Sequence, residues 1–138
     1  MLPVFLFTYI ISILKMKAPI IKIGNWTLLG KNTIGLTLYP FIFLKRSYFI
    51  IHSKELDTTI RHETIHIRQQ SELLIIGFYI WYTVEYIIRL LITLNPTTAY
   101  NTISFEREAY KNETNTQYLK QRTRWAFTKY LFKAKSNP

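Results

Sequence analysis

The spacing of apolar residues divides the chain into a β region and a helical region. Short runs of Ile, Thr, Leu, Tyr and Phe, interrupted by glycines, predict two or three strands over residues 20–53. Pro40 lies inside one run and marks an edge strand or a bulge, because proline cannot donate a ladder hydrogen bond. From Asp57, a good N-cap, helical spacing extends over residues 57–121. We therefore expect one α+β domain, residues 1–138, with a short N-terminal β-sheet before the helices.

The most apolar stretch, residues 73–92, has two interpretations. Its length is sufficient to cross a bilayer. It also contains Glu85 and Arg89, which can pair on one helix face, and charges inside a membrane span are costly. The stretch is therefore either a membrane span or a helix that folds back onto the domain.

Both ends of the chain indicate contact with lipid. Residues 2–14 form an apolar run followed by Lys15 and Lys17, too short for a full span and typical of an uncleaved anchor or interfacial helix. We assign residues 1–18 to a membrane-associated segment. Residues 117–135 mix Lys and Arg with aromatic residues, which predicts a basic amphipathic C-terminal helix, either lying on a membrane surface or solvated.

The composition of the chain limits the classes of binding partner that we expect. Hydrophobic residues make up 49% of the chain, charged residues 19%, and the net charge is +10. Apolar runs between the basic residues favour anionic lipid over nucleic acid, so we expect membrane lipid and no nucleic acid among the partners. The chain has no cysteine, so any metal ion must be held by histidines and carboxylates.

The stretch His62-Glu63-Thr64-Ile65-His66 carries the clearest chemistry. On a helix, His62 and His66 lie one turn apart on the same face, so both imidazoles can reach one ion. Glu63 lies beside them, where it can act as a general base for water that a zinc ion activates. The spacing therefore predicts two zinc ligands and one base from a single helical turn.

A zinc site of this kind needs a third protein ligand. The remaining histidine, His52, lies upstream in a predicted strand or loop, and we expect it to be an ordinary polar residue. The third ligand should then be a carboxylate from a helix. The candidates are Glu72, Glu85, Glu106, Glu108 and Glu113.

The motif HETIH followed by FEREAY resembles the gluzincin metallopeptidases, particularly their membrane-bound branch. That resemblance implies that Glu106 is the third zinc ligand and that Glu108 is not. Tyr110 stands where the family has an aspartate that steadies a ligand histidine, and it could instead donate to an oxyanion or pack in the core. A longer pattern, TL-x-PFI, HExIH-x-RQQ and ISFEREAY, resembles small bacterial envelope proteins without a known function, which implies a bacterial cell-envelope location.

The zinc hypothesis also predicts chain geometry. A straight helix from Asp57 to Leu94 would be about 55 Å long, and the residues that remain before Glu106 could not return to His66. We therefore expect a break at Gly77, with residues 78–92 doubling back as an apolar helix hairpin. If residues 73–92 cross a bilayer instead, the two halves of the motif lie on opposite sides and the site cannot form within one chain.

Two smaller expectations concern the residues that follow the motif and the TLYPFIF run upstream of it. Arg68, Gln69 and Gln70 are expected on a polar helix face, although the two glutamines could contact substrate or the ligand glutamate. The TLYPFIF run could serve as an edge strand along which an extended peptide lies.

Two hypotheses of different class follow. The first is a membrane-associated zinc metallopeptidase of the bacterial envelope, acting on a peptide or protein substrate. Its zinc is bound by His62, His66 and Glu106, with Glu63 and Tyr110 as catalytic residues. The alternative is a non-catalytic, metal-stapled accessory subunit of a larger membrane-protein complex. A third and weaker hypothesis is a lipid-binding basic protein in which the HETIH motif occurs by chance.

Overall fold

A computed structural model describes residues 18–26 and 33–132. Within these ranges the fold is α+β, a small sheet followed by helices, as expected. The strands are β1 (Ile20–Gly24), β2 (Gly35–Leu38) and β3 (Phe41–Lys45). The helices are α1 (Arg46–Ile51), α2 (Leu56–Glu72), α3 (Ile76–Thr93), α4 (Pro96–Thr102), α5 (Ser104–Asn112) and α6 (Tyr118–Gln121). Two 3-10 helices span Ser53–Glu55 and Ala126–Tyr130. The predicted membrane-associated segment at residues 1–18 lies almost wholly outside the described residues.

The sheet has the order β1-β3-β2, so β2 is an edge strand. β3 pairs in parallel with β1 and antiparallel with β2. Pro40 lies in the two-residue turn between β2 and β3, after a cis peptide bond, and neither in an edge strand nor in a bulge. The turn leaves β3 free of proline and able to pair on both sides. The β region also ends earlier than expected, because residues 46–51 form α1.

Helix α2 connects the sheet with the helical half of the molecule. Its Ile67 packs with Ile42 and Leu44 of β3 and with Phe49 of α1. The helix begins at Leu56, so Asp57 lies in its first turn and is not the N-cap expected from the sequence. An acidic residue in the first turn still stabilises the helix, because it interacts favourably with the positive end of the helix dipole.

The chain reverses between α2 and α3, as the zinc hypothesis requires, but before Gly77. The break falls at residues 73–75, where Leu74 and Ile75 have φ of 55° and 63°. A β-branched residue in this region is strained, and this explains why the sequence did not suggest a turn there. Gly77 itself lies in the first turn of α3.

Helices α4 and α5 return along α3 toward α2. Asn95 caps α4 by accepting a hydrogen bond from the Thr98 amide, and Pro96 takes the first helical position, as the sequence suggests. At the start of α5, the buried Glu85 of α3 accepts hydrogen bonds from the backbone amide and hydroxyl of Ser104. These contacts hold α5 against the middle of α3 and bring its acidic residues back to α2.

The C-terminal region is not the single amphipathic helix expected from the sequence. Within its described part, α6 ends at Gln121 and Trp125 adopts a left-handed conformation with φ of 59°. The 3-10 helix that follows places Phe127 in a core cluster with Phe78, Ile103 and Phe105. Packing of Phe127 and the ion pairs of Arg122 outweigh the helical preference of the segment.

Candidate metal centre

The two motif histidines face each other on the buried side of α2. Both are almost fully buried, and their Nε2 atoms lie 3.1 Å apart. Their i,i+4 spacing produces this juxtaposition, since residues one turn apart share a helix face. The helix is continuous through the motif.

Glu106 of α5 completes a group of three. Its two carboxylate oxygens each lie 3.4 Å from a histidine nitrogen, Oε2 from His62 Nε2 and Oε1 from His66 Nε2. The ligand atoms of His62, His66 and Glu106 all lie within 4.8 Å of one another. The structure therefore brings together three residues that could hold a metal ion.

The outer nitrogen of each imidazole is already engaged. His62 Nδ1 lies 2.7 Å from Oε2 of Glu113, and a carboxylate can only accept, so Nδ1 donates. His66 Nδ1 lies 2.7 Å from Oε1 of Gln69, whose amide nitrogen is committed to the Phe105 carbonyl and the Glu108 carboxylate. When each imidazole is neutral and carries its proton on Nδ1, its Nε2 lone pair is available, together with the Glu106 carboxylate, for one shared cation.

The separations between the candidate ligand atoms can be compared with those around zinc. Zinc bonds of about 2.0–2.1 Å in a tetrahedron separate neighbouring ligand atoms by about 3.3–3.4 Å. Here the two Nε2 atoms lie 3.1 Å apart and each lies 3.4 Å from a different oxygen of Glu106, and one ligand atom from each of the three residues lies within 4.8 Å of the others. In addition, Glu106 Oε2 is buried without a hydrogen-bond partner, and an unsatisfied buried carboxylate oxygen is costly unless a cation neutralises it.

The electrostatics of the group also favour positive charge. Burial lowers the pKa of His66, but the Glu106 carboxylate outweighs burial and raises that pKa to about 9. Burial would raise the pKa of Glu106, but the charge of His66 and the closeness of both imidazoles hold that pKa far below its usual value. A carboxylate that stays ionised in this position supplies one full negative charge for an ion.

Glu63 lies next to the group and is held by strand β2. Its carboxylate Oε2 accepts a hydrogen bond of 2.5 Å from the hydroxyl of Thr37, which is itself buried. Gly35 makes this approach possible, because a Cβ there would lie only 2.6 Å from Glu63 Oε1. The sequence identified Glu63 from its motif but gave no sign that β2 positions it.

A cleft of about 900 Å³ opens over the three candidate ligands. Edge strand β2 forms one wall and helices α3, α4 and α5 form the other. Lys45 donates its amide to the Ile34 carbonyl, so antiparallel alternation turns the backbone groups of Gly35 and Thr37 away from β3 to the outer edge. The edge strand expected from TLYPFIF is therefore β2, which contains only the first residues of that run.

Tyrosines surround the open side of the centre. The Tyr110 ring packs edge-on against His62, with centroids 4.6 Å apart, and Tyr110 is 48% exposed. Burial and the charge of Glu106 raise its pKa, so the phenol keeps its proton. Tyr82 donates to Glu106 Oε1 at 2.8 Å, and Tyr100 lines the same cleft. Tyr82 and Tyr100 have no motif in the sequence that would have identified them.

The five candidate glutamates separate into distinct roles. Glu106 joins the histidines, whereas Glu113 contacts the outer nitrogen of His62. Glu85 binds Ser104 and Arg89, and Glu72 and Glu108 both bind Arg122. His52 lies on the surface, stacked on Tyr48 and 3.5 Å from Glu55. Tyr110 packs against the His62 ring, and Glu113, about one turn nearer the C-terminus, accepts a hydrogen bond from His62 Nδ1.

The two glutamines after the motif are buried, contrary to the polar face expected from the sequence, whereas Arg68 is partly exposed. Gln69 and Gln70 are 0% and 1% exposed. Gln69 connects His66 to Glu108, and Gln70 binds the backbone of Thr37 and Tyr39 in the β2–β3 hairpin. Helical i,i+3 spacing from His66 was the signal that could have identified Gln69 as its partner.

Removing Glu113 should weaken metal binding without abolishing it. Loss of a partner that orients a ligand histidine commonly costs about 10–100-fold in metal affinity. We expect a loss of that size for Glu113→Ala and a smaller one for Glu113→Gln, whose amide oxygen can still accept from His62 Nδ1. Competition with a zinc-binding dye measures both.

Glu55→Ala is the matched control, because Glu55 lines the same cleft and makes no contact with the three candidate ligands. Equal losses of metal affinity in Glu113→Ala and Glu55→Ala would show that only the net charge affects metal binding and that Glu113 does not orient His62.

In comparisons with protein-family models, curated proteins and solved structures, the chain matches none of them. The resemblance to gluzincins therefore rests on the HETIH and FEREAY residues themselves. The structure adds that His62, His66 and Glu106 converge into one group that could hold a metal ion.

Proposed function

We propose that the protein is a zinc-dependent metallopeptidase. The observation that carries this proposal is the convergence of His62, His66 and Glu106 on one point beside an open cleft, with the Glu63 carboxylate held next to it. A zinc ion bound there supplies an acidified water near neutral pH and polarises a carbonyl group.

The side chains around that point have the properties that peptide hydrolysis requires. Glu63 would accept a proton from the attacking water as the water oxygen bonds to the peptide carbonyl carbon. The same carboxyl group would then pass the proton to the amine nitrogen as the C–N bond breaks. Tyr110, protonated and exposed to the cleft, would donate a hydrogen bond to the developing oxyanion.

The outer edge of β2 suits an extended polypeptide. The Thr37 carbonyl on this edge already accepts from Gln70 and Tyr79, but the backbone groups of Gly35 also face the outer edge, and an extended chain can add to such an edge by main-chain hydrogen bonds. The proposed substrate class is therefore an unfolded or extended polypeptide, which this edge would hold across the position facing Glu63.

The alternative, a metal staple in an accessory subunit, fits these features less well. A structural zinc has four protein ligands, whereas this group contains three among the described residues. Residues 1–17, 27–32 and 133–138 contain no His, Cys, Asp or Glu that could supply a fourth. Moreover, a staple needs neither a cleft over the ion nor a carboxylate held as Glu63 is.

The direct test is incubation of zinc-loaded protein with an unstructured polypeptide, followed by mass spectrometry. We expect pairs of fragments whose masses add up to the substrate plus one water. Cleavage should stop with a zinc chelator and return when zinc is added. Zinc bound at the site with no cleavage of any extended polypeptide would favour the metal staple instead.

A further inference from the structure

Helix α3 carries an apolar stripe that nothing in the described part of the chain covers. The stripe comprises large aliphatic residues at helical spacing, each about half exposed or more: Ile76, Ile80, Val84, Ile87 and Leu91. It extends over about 22 Å at 1.5 Å per residue. A continuous apolar surface of this size on a small protein marks an interaction site.

The opposite face of α3 is attached to the domain along its length. Phe78 packs in the helical core near one end, and Glu85 binds Ser104 at the middle. Arg89, near the other end, pairs with Glu85 and donates to the Leu131 carbonyl. By length and composition α3 could cross a membrane. A transverse span, however, would carry these polar groups and the attached domain into the hydrocarbon, which is prohibitively costly.

The C-terminal segment runs beside α3 and brings charged and aromatic residues to the side of that helix. Phe127 packs edge-on against Trp81, with ring centroids 5.4 Å apart, and Arg89 reaches Leu131. Trp125 and Phe132 remain 45% and 86% exposed. The basic residues Arg124 and Lys129 are exposed in the same segment, and residues 114–138 contain no acid.

The charge balance of the surface identifies the partner. Of the eight acids in the chain, only Glu55 and Asp57 are exposed, because the others are partly or fully buried. Seven basic residues are exposed in the described ranges: Lys22, Arg46, Lys54, Lys111, Lys120, Arg124 and Lys129. An apolar stripe with exposed Trp81 on the same helix, in a domain whose exposed charges are mostly Lys and Arg, is complementary to the surface of an anionic lipid bilayer.

We propose that α3 lies in the plane of an anionic membrane surface, with its apolar stripe in the headgroup–acyl boundary and the basic C-terminal segment on the headgroups. The domain, anchored on the other face of α3, stays on the aqueous side. Phe78 and Tyr82 line the cleft from that other face, so the cleft lies about one helix diameter, roughly 10–12 Å, from the lipid.

Vesicle flotation of the full-length protein tests this proposal. The double variant Ile80→Gln/Leu91→Gln replaces two apolar residues of the stripe by glutamine, which is polar and a good helix former. The control variant Ile50→Gln/Ile51→Gln makes the same change at two exposed isoleucines of α1. Wild type should float with phosphatidylcholine vesicles that contain phosphatidylglycerol, and less well without phosphatidylglycerol or at high salt. We expect the stripe variant to bind about tenfold more weakly or worse, and the α1 control to bind as wild type does.

Depth-dependent quenching by brominated lipid gives a second measurement on protein with an intact stripe. Replacing Trp81 by Phe should remove much of the quenching, and replacing Trp26 by Phe should not, since Trp26 packs on Phe43 of the sheet.

Three results would contradict a membrane role of the stripe. Unchanged flotation of the stripe variant would assign attachment to residues outside α3, and equal losses of vesicle binding in both double variants would remove any special role of the stripe. Wild type that ignores both vesicle types but self-associates through the stripe would assign this face to a protein partner. Each of these three results overturns the proposal.

Discussion

Replacing Glu63 by glutamine should leave zinc bound and slow peptide hydrolysis by about 10²–10⁴-fold, the usual contribution of a general base. Glutamine keeps the shape of the side chain and can still accept from Thr37 Oγ1, so the β2 wall and the histidines should stay in place. The amide cannot take up the proton of the attacking water. The measurement is kcat on a cleavable peptide together with the zinc content of the same preparation.

Asp57→Asn is the matched control for that experiment, because Asp57 is an exposed acid on the same helix. It should retain both zinc and activity. A Glu63→Gln protein that loses its zinc would indicate that Glu63 is a ligand, and one that keeps full activity would remove it from the reaction.

Arg122 should be the most sensitive position for stability. Its side chain is 3% exposed and bridges two carboxylates, Glu72 from the end of α2 and Glu108 from α5. Burial alone would lower the pKa of Arg122, but the hydrogen bonds with Glu72 and Glu108 raise it, so the guanidinium stays charged. Removing one member of a buried ion network leaves its partners uncompensated, which typically costs about 3–5 kcal/mol. We expect Arg122→Met to lower the free energy of unfolding in urea by that amount.

The same substitution should also affect the metal centre, because Glu108 holds Gln69 and Gln69 holds His66. Arg124→Met, an exposed position two residues further along, should change neither stability nor metal affinity. Adding Glu72→Gln and Glu108→Gln to Arg122→Met should recover part of the lost stability, since the uncompensated charges are removed. No recovery in that triple variant would mean that Arg122 acts through packing and not through its charge.

Local patterns predicted the centre of the site but not its supports. His62 and His66 follow from helical periodicity, and the Asn95 cap with Pro96 follows from local chemistry. The carboxylate at Glu106 was one of five candidates by residue type, and only the family resemblance distinguished it. The return of α5 to α2, which brings Glu106 to the histidines, depends on long-range contacts such as Glu85 with Ser104.

The unpredicted features arise where tertiary packing overrides local preference. The chain reverses at Leu74 and Ile75, which are residues that disfavour positive φ. Local sequence preference therefore predicted the reversal at Gly77 instead. Gln69 and Gln70 look like a polar surface, but they are buried because each has hydrogen-bond partners on another element. Arg122 is one of many basic residues near the C-terminus, and nothing in its local sequence marks it as the buried one.

The central claim, a three-ligand zinc site, is tested most directly by the metal content of purified protein. Mass spectrometry should find about one zinc per chain in wild type and in Glu63→Gln, and essentially none in Glu106→Ala, which keeps both histidines but loses the carboxylate. Circular dichroism should show that Glu106→Ala remains folded. A wild-type protein purified without chelator that holds no metal, or a Glu106→Ala protein that holds as much zinc as wild type, would contradict the site described above.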